Sequence, residues 1–411
     1  MPDVFASPIS TLLTCLIPLI AGIVGWITNV VAIKLTFWPL EFIGIWKPYI
    51  GWQGIVPMQA RKMTELACDL ITTRLLTPRE IFGRLDADAY AHHLRPHLAM
   101  VLEDVLQDVV RRRAPALWDM ASRRAKAEVI EAGVDHSTQY VAAMYRDMQE
   151  HVDEVFDLKQ MAIDVLMQDV SLLNHIFQEV GHKEFAFIIR SGFWFGGLFG
   201  LLQMCVWIVY PQVWVLPVAG FLVGWATNFL ALKMIFEPAE PRNVCGLRIQ
   251  GLFLRRQPEV AEAYGQIVSE RLVTAGNIVD SLFAGPTVPR MFELVDKHTR
   301  AAIDDYAGSG RLAIMFTMGP KAWNEFQHEI SCRMMDALPV LMHRTEQYVH
   351  DALGVEEVLV ERMCQLTPTE FVGLLRPVFE ADEWKLILLG GVLGALVGGL
   401  QVWASLATAD L

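Results

Sequence analysis

The stretch GWITNVVAIK, at Gly25–Lys34, returns later in the chain as GWATNFLALK at Gly224–Lys233. Six of the ten positions are identical, and the other four are apolar in both copies. Chance does not give such a pattern twice, and an internal repeat has to be recognised before the elements are assigned. We therefore predict two tandem copies of one module.

The similarity continues beyond this motif. Gln53-Gly54 corresponds to Gln250-Gly251, and Arg74–Thr77 corresponds to Arg271–Thr274. The last apolar stretch of each copy carries glycines at a spacing of four residues followed by a glutamine: Gly192, Gly196, Gly200 and Gln203 in the first copy, and Gly390, Gly394, Gly398 and Gln401 in the second. The predicted modules are residues 1–211 and 212–411.

The composition indicates that much of the chain lies in lipid. Hydrophobic residues make up 53% and charged residues only 19%, with a mean hydropathy of +0.34. The apolar residues collect near residues 9–35, 186–209, 212–236 and 385–407. Each stretch approaches the roughly 20 residues that cross about 30 Å of hydrocarbon. We predict four transmembrane helices, with water-facing segments at about residues 40–185 and 240–384.

The number of spans per module fixes the relative orientation of the two copies. Two spans return the chain to the side where it began, so both modules point the same way and the repeat is parallel. The short connection at Tyr210–Gln212 lacks Lys and Arg, whereas basic residues lie at the opposite span ends: Lys34, Lys183, Arg190, Lys233, Arg376 and Lys385. The positive-inside rule then places the large segments in the cytoplasm and both termini outside.

The water-facing segments are predicted to be helical. Apolar residues recur at intervals of three and four between acidic and amide residues: Leu94, Leu98, Val101, Leu102, Val105 and Val109, then Val141, Met144, Met148, Val152 and Val155. Gly and Pro are nearly absent between about residues 117 and 165, which predicts one long helix there. The fold class is therefore an all-α membrane protein, with antiparallel cytoplasmic helices packed through these stripes.

The motif, with the segments that follow it, resembles the YheB-like bacterial membrane family. The shared features are the Gly-Trp-x-Thr-Asn-x-x-Ala-x-Lys signature, the Phe-x-Pro step, Gln53–Pro57 and the glycine-rich closing span. The second copy departs at Leu252–Arg256, where the Ile-Pro step is missing. The resemblance implies a multi-pass protein of the bacterial inner membrane and supplies no reaction.

The Thr-Asn pairs are the sharpest candidates for a polar site in the membrane, because polar side chains at this depth need hydrogen-bond partners. Two interpretations are open for Thr28, Asn29, Thr227 and Asn228. In the first, the two pairs meet and bind an ion, a lipid head group or a small solute. In the second, they join neighbouring helices. Joining helices is the more common role of such residues.

Other residues of the repeat have simpler interpretations. Lys34 and Lys233 are expected to extend to the membrane interface, with recognition of anionic lipid as the alternative. Trp38, Trp46 and Trp52 follow the first span and fit an interfacial aromatic belt. Small residues predict close helix packing, and they are Gly25, Gly192, Gly196, Gly200, Gly224, Gly390, Gly394 and Gly398.

Several classes of function lose support. A net charge of −12 argues against nucleic acid as a partner, and the six cysteines form no CxxC pair. Glu179-x-x-His182 and Glu325-x-x-His328 have the spacing of di-iron bundles but are not equivalent in the repeat, and Gly181 interrupts the first. We expect no metal, no cofactor and no catalytic residues, because nucleotide-loop and nucleophile motifs are also absent.

Two hypotheses of function follow. The first is a non-enzymatic, membrane-anchored helical scaffold that binds or hands over a hydrophobic partner, either lipid or an envelope protein. The second is a small transporter or channel whose path runs between the two Thr-Asn pairs. Four spans are few for a carrier, and charged residues lie only at the span boundaries. The expected partners are the lipid bilayer, with anionic lipid, envelope proteins or a second copy of the chain beside it.

Overall fold

A computed structural model describes residues 8–46, 50–113, 119, 122–244, 247–308, 311, 319–373 and 383–409. Over these residues the chain is helical apart from two short β-hairpins, which confirms the predicted all-α class. The helices with described bounds are α1 (Pro8–Phe37), α2 (Ile55–Met58), α3 (Ala60–Leu70), the π-helix Ile71–Leu75, α4 (Pro78–Gly83), α5 (Ala87–Arg113), α6 (Arg123–Glu150), α7 (Val152–Val155), α8 (Leu158–Gln168), α9 (Val170–Val180), α10 (His182–Val209), α11 (Val215–Phe236), α12 (Leu252–Arg255), α13 (Gln257–Ile267), the π-helix Val268–Leu272, α14 (Ala275–Ala284), α15 (Val288–Ala307), α16 (Pro320–His343), α17 (Glu346–Leu353), α18 (Val355–Gln365) and α19 (Glu383–Ala409). The strands are β1 (Ile43–Trp46), β2 (Ile50–Trp52), β3 (Arg242–Val244) and β4 (Leu247–Ile249).

Four helices are long and apolar enough to cross a membrane. They are α1, α10, α11 and α19, with apolar segments at Thr14–Phe37, His182–Val209, Val215–Ile235 and Glu383–Trp403. The prediction of four spans is confirmed, and the bounds agree to within a few residues. The third helix begins at Val215 rather than at residue 212, because the preceding residues form a turn. In it the N–H of Gln212 donates to the carbonyl of Tyr210, and the N–H of Val215 donates to the carbonyl of Gln212.

The same order of elements follows α1 and α11. In each case a two-stranded antiparallel hairpin comes first, then a helix of four residues, a helix of 11 residues and a π-helix of five. The hairpins are β1–β2 after α1 and β3–β4 after α11. The peptide bonds Trp38-Pro39 and Glu237-Pro238, which connect these helices to their hairpins, are both cis.

The chain divides into two compact units. The membrane unit comprises Met1–Ala67, Leu166–Tyr264 and Val360–Leu411, and it contains the four apolar helices. Within it, α1 packs along α10 and α11 packs along α19, with further contacts between α10 and α11 and between α1 and α19. Each helix that opens a predicted module is thus paired with the helix that closes it.

The bundle unit comprises Cys68–Val165 and Gly265–Leu359. Its long helices α5 and α6 come from the first predicted module, and α15 and α16 come from the second. They contact one another as α5 with α6, α15 with α16, α6 with α15 and α5 with α16. The predicted stripes face this core, where Leu98 and Met148 are almost fully buried and Val105, Val109 and Ile330 form one apolar cluster.

The predicted long helix between residues 117 and 165 is wrong, because the chain is interrupted twice. Residues 117 and 118 lie outside the described residues, and α6 ends at Glu150. Phe156 has an extended backbone, and Asp157 Oδ1 accepts a hydrogen bond of 2.9 Å from the N–H of Gln160 in the first turn of α8. Asp157 thus caps the start of α8, and Val152, Val155 and Phe156 are buried beside the break.

Candidate functional site

Asn29 lies at the centre of the packing between α1 and α10. Its side chain is fully buried, with 0% exposure, and its Nδ2 donates a hydrogen bond of 2.5 Å to the backbone carbonyl of Ile188. Gly192 makes this reach possible, because a Cβ atom there would lie 2.5 Å from Asn29 Nδ2 and would also strike the carbonyl of Gly25. Asn29 thus binds the backbone of the neighbouring helix where glycines let the two helices approach closely.

Asn228 occupies the corresponding place on α11. It is buried, and a Cβ atom added at Gly390 of α19 would meet Asn228 Nδ2 and would lie 2.7 Å from the carbonyl oxygen of Gly224. The Asn–Gly arrangement of the first helix pair therefore recurs in the second.

The threonines of the two motifs are not brought together. Thr28 Oγ1 donates to the carbonyl of Gly25 at 3.0 Å, and Thr227 Oγ1 donates to the carbonyl of Gly224 at 3.0 Å. Each hydroxyl group thus donates its proton to a carbonyl one turn earlier in its own helix. The predicted Thr-Asn pairs therefore separate in role: the asparagines interact between helices and the threonines within them.

Both asparagines line one small cavity in the membrane unit. The other residues that define it include Thr36, Phe185, Ile188 and Leu232, and its volume is about 20 Å³. A volume of this size holds about one water molecule. Among the described residues that line it, none is charged.

A buried polar atom of Asn29 lies at this cavity without a hydrogen-bond partner. Asn29 Oδ1 is buried and accepts no hydrogen bond within the described part of the chain. An unsatisfied carbonyl in an apolar setting costs about 1–3 kcal/mol. The site therefore suits a single small hydrogen-bond donor such as water, and it is too small for a lipid head group.

The lysines of the motif lie away from the cavity. Lys34 and Lys233 are exposed in the last turns of α1 and α11. Lys233 Nζ lies 3.5 Å from Glu237 Oε2 and 5.5 Å from the centre of the Phe229 ring. The positions fit side chains that extend to the membrane interface, and a role in anionic lipid recognition stays a prediction.

The predicted small residues line the two helix pairs. A Cβ atom at Gly196 would lie 2.5 Å from the carbonyl oxygen of Ala21, and one at Gly200 would lie 2.6 Å from the Cβ of Ala21. Gly394 faces the backbone of Gly220 in the same way, and Gly398 faces that of Leu216. These glycines therefore lie on the packing surfaces, where a larger residue would force the helices apart.

Sequence reasoning missed two polar contacts of the membrane unit. Asn174 Nδ2 donates to the carbonyl of Phe37 at 2.7 Å, at the end of α1. Glu184, only 4% exposed, binds Arg256 at 2.7 Å between its Oε1 and the arginine Nη1. Both pairs join residues far apart in the chain, and the only sequence signal was a polar residue within or beside an apolar helix.

One group of residues has the spacing of a metal site. Ligand atoms of Asp147, Glu150 and His151 lie within 4.8 Å of one another in the bundle unit. However, Asp147 Oδ2 already lies 2.6 Å from Lys297 Nζ and 2.9 Å from His298 Nε2. The hydrogen bond from Lys297 lowers the pKa of Asp147 to about 2, with a further contribution from His298. This carboxylate is engaged by cations of the protein, so the group is better described as a link between α6 and α15.

Parts of the chain are similar to bacterial proteins named UPF0754 membrane protein. The protein from Staphylococcus haemolyticus is 31% identical over 102 residues, which are 24% of this chain and 27% of that protein. The one from Geobacillus kaustophilus is 47% identical over 58 residues, 13% of this chain and 15% of that protein. The one from Anoxybacillus flavithermus is 43% identical over 61 residues, 14% of this chain and 16% of that protein.

The chain thus matches between 15% and 27% of the length of these relatives. No family model and no solved structure matches it. The names of the relatives give a membrane location and no activity. They agree with the four apolar helices in indicating a membrane protein, and the YheB-like label stays a prediction.

Proposed function

We propose that this protein is a membrane-anchored helical scaffold whose bundle unit binds a protein partner with a basic surface. The observation that carries the proposal is the construction of the bundle unit, in which helices of both predicted modules share one core. Val105 and Val109 of α5 pack with Ile330 of α16, and Asp147 of α6 binds Lys297 and His298 of α15. A single body of this kind presents one continuous surface.

The interior of the bundle unit favours a protein partner over a lipid cargo. The cavity described there has a volume of about 20 Å³ and is bounded by apolar side chains such as Phe82, Ile278 and Leu353. That volume accommodates a water molecule and is far below the roughly 300–1,000 Å³ of ligand pockets. The described cavity is thus too small for a lipid, which supports a binding role for the outer surface.

The charge of the bundle unit indicates the chemistry of the partner. This unit holds 20 Lys and Arg against 30 Asp and Glu, so ten of the twelve net negative charges of the chain belong to it. Charge of one sign attracts partners of the opposite sign and repels like-charged surfaces. Anionic lipid head groups are disfavoured at this unit, and a basic segment of an envelope protein is favoured.

A transport path between the Thr-Asn pairs has less support. The cavity at Asn29 and Asn228 has room for about one water, and the threonine hydroxyls bind their own helices. In our account this cavity is part of the contact between helices, and the four spans anchor the scaffold. The parallel repeat and the cytoplasmic location of the bundle unit belong to the same proposal, supported by the matching order of elements after α1 and α11.

The test is site-specific photo-crosslinking in bacterial cells. A photoreactive amino acid replaces the exposed Ala127 or Gln139 of α6, and the adducts are separated by mass. We expect a discrete protein adduct that is lost after Asp104→Lys, Glu131→Lys and Asp336→Lys are combined. The corresponding Asn and Gln substitutions should weaken it less. Absence of any protein adduct, or an adduct insensitive to charge reversal, would contradict the proposal.

A further inference from the structure

The hairpin β1–β2 exposes apolar side chains on both of its faces. Ile45 is 93% exposed, Ile43 is 68% exposed and Trp46 is 65% exposed, with Ile50 on the second strand also exposed. The strands pair antiparallel, with Ile43 opposite Trp52 and Trp46 opposite Ile50. Large apolar side chains are seldom grouped in this way on a surface that faces water, so the hairpin requires a partner.

The strands of the hairpin are nevertheless largely exposed. All residues of β1 and the first two of β2 are exposed, although the Phe42 ring lies against Gly44 and Gly51. A single two-stranded hairpin is marginally stable in water unless one face packs against something. Burial of the exposed parts of Ile43 and Ile45 in an apolar phase would stabilise it further.

The base of the hairpin is fixed to the end of a membrane helix. Trp52 Nε1 donates to the carbonyl of Leu35, in the last turns of α1, at 3.2 Å. Gln53 Nε2 donates to the carbonyl of Leu40 at 2.8 Å, and the N–H of Gly54 donates to the carbonyl of Pro39 at 2.9 Å. These bonds hold the hairpin at the level where α1 leaves the hydrocarbon.

We propose that the hairpin β1–β2 inserts into the interfacial layer of the bilayer and acts as a second membrane contact beside the end of α1. Two observations favour lipid over a protein partner. Exposed apolar side chains on α1, which include Ile23 and Trp26, are followed along the chain by the exposed Trp38 and then by the hairpin. The described residues of the hairpin are Ile, Gly and Trp only, and Trp is the residue preferred at the membrane interface.

The second hairpin gives an internal control. The sequence of β3 and β4 carries Arg242 and Arg248 at positions within the strands, where β1 and β2 carry apolar residues and glycine. Insertion of a hairpin with basic residues into the apolar part of the interface is not favoured in the same way. The proposal therefore assigns insertion to the first hairpin alone, and it does not depend on the scaffold role of the bundle unit.

The experiment measures the environment of a spin label in vesicles of phosphatidylcholine and phosphatidylglycerol. The full chain, with its six cysteines replaced, carries one label at Ile45→Cys or, as a second reporter, at Trp46→Cys. Leu198→Cys on a lipid-exposed face of α10 is the reference for lipid, and Gln139→Cys on α6 is the reference for water. Asn243→Cys reports on the second hairpin.

We expect collisions with oxygen to exceed those with a water-soluble nickel complex by several-fold at positions 45 and 46, as at position 198. Position 243 should behave like position 139. Equal or greater accessibility to the nickel complex at both hairpin positions would overturn the proposal. Low accessibility to both reagents would also overturn it, because it would indicate burial against protein, including a second copy of the chain.

Discussion

The close packing of α1 and α10 makes Gly192 sensitive to even a small substitution. Gly192→Ala adds one methyl group that would lie 2.5 Å from Asn29 Nδ2 and against the carbonyl oxygen of Gly25. Because the nearest atom belongs to the backbone of α1, it cannot move aside by a change of rotamer. The helices would have to separate by about 1 Å to restore an ordinary contact of about 3.5 Å.

The cost of this separation has two parts. Overpacking of a tightly packed contact costs about 1–3 kcal/mol. The hydrogen bond from Asn29 to Ile188 would lengthen, and interhelical bonds of this kind contribute about 0.6 kcal/mol on average. Removal of a helix-interior glycine returns up to about 1 kcal/mol. We therefore expect Gly192→Ala to lower the free energy of unfolding by about 1–3 kcal/mol.

Gly197→Ala, on the same helix, is the matched control. A Cβ atom there would have its nearest neighbour, the carbonyl oxygen of Pro18, at 3.7 Å. Removal of a helix-interior glycine then stabilises the helix by up to about 1 kcal/mol. The measurement is reversible unfolding in mixed micelles titrated with dodecyl sulfate, followed by circular dichroism. If the two variants unfold within about 0.5 kcal/mol of each other, the inferred packing of α1 on α10 is wrong.

Three further predictions concern the site, the bundle unit and the topology. Asn29→Leu removes one interhelical hydrogen bond, so micelle unfolding should show a loss of about 1 kcal/mol, and a loss above about 3 kcal/mol would contradict the account. Asp147 has a pKa of about 2 when folded, below its usual value of 3.8, so its contribution is present above pH 4 and is lost as the pH falls towards 2. Asp147→Asn should therefore lower the thermal midpoint at pH 6 by an amount equivalent to about 1 kcal/mol, and by clearly less near pH 2.5, where part of the contribution is already lost. A periplasm-dependent reporter fused after Asp410 should be active, and a cytoplasm-dependent reporter there should be inactive; the opposite pattern would invert the topology.

Much of the fold is encoded in local patterns that can be read from the sequence. Apolar length predicts the four spans, and three- and four-residue periodicity predicts the buried stripe that contains Leu98 and Met148. The sequence left open whether the Thr-Asn pairs meet or join helices. In the structure Asn29 and Asn228 line one cavity, and Asn29 binds the backbone of a neighbouring helix.

Other features depend on information that no local pattern contains. The break at Phe156 does not belong to this group, because Asp157 caps α8 and such a cap is a local signal. The pairs Glu184–Arg256 and Asn174–Phe37 join residues far apart in the chain, so the periodicity of the sequence does not predict these contacts. The different roles of Asn29 and Thr28 were not predictable either, because both side chains are polar and buried, and only the helix packing decides which of them reaches the neighbouring helix.

The central claim is that the bundle unit binds a protein and not a lipid. Native mass spectrometry of the gently extracted full chain tests it most directly, with collisional activation to strip lipids that are bound only at the surface of the membrane helices. The account predicts that a protein subunit remains associated after the lipids are lost and is released at high ionic strength. A stoichiometric lipid retained under the same activation, with no associated protein, would contradict the claim and would instead assign the protein to lipid handling.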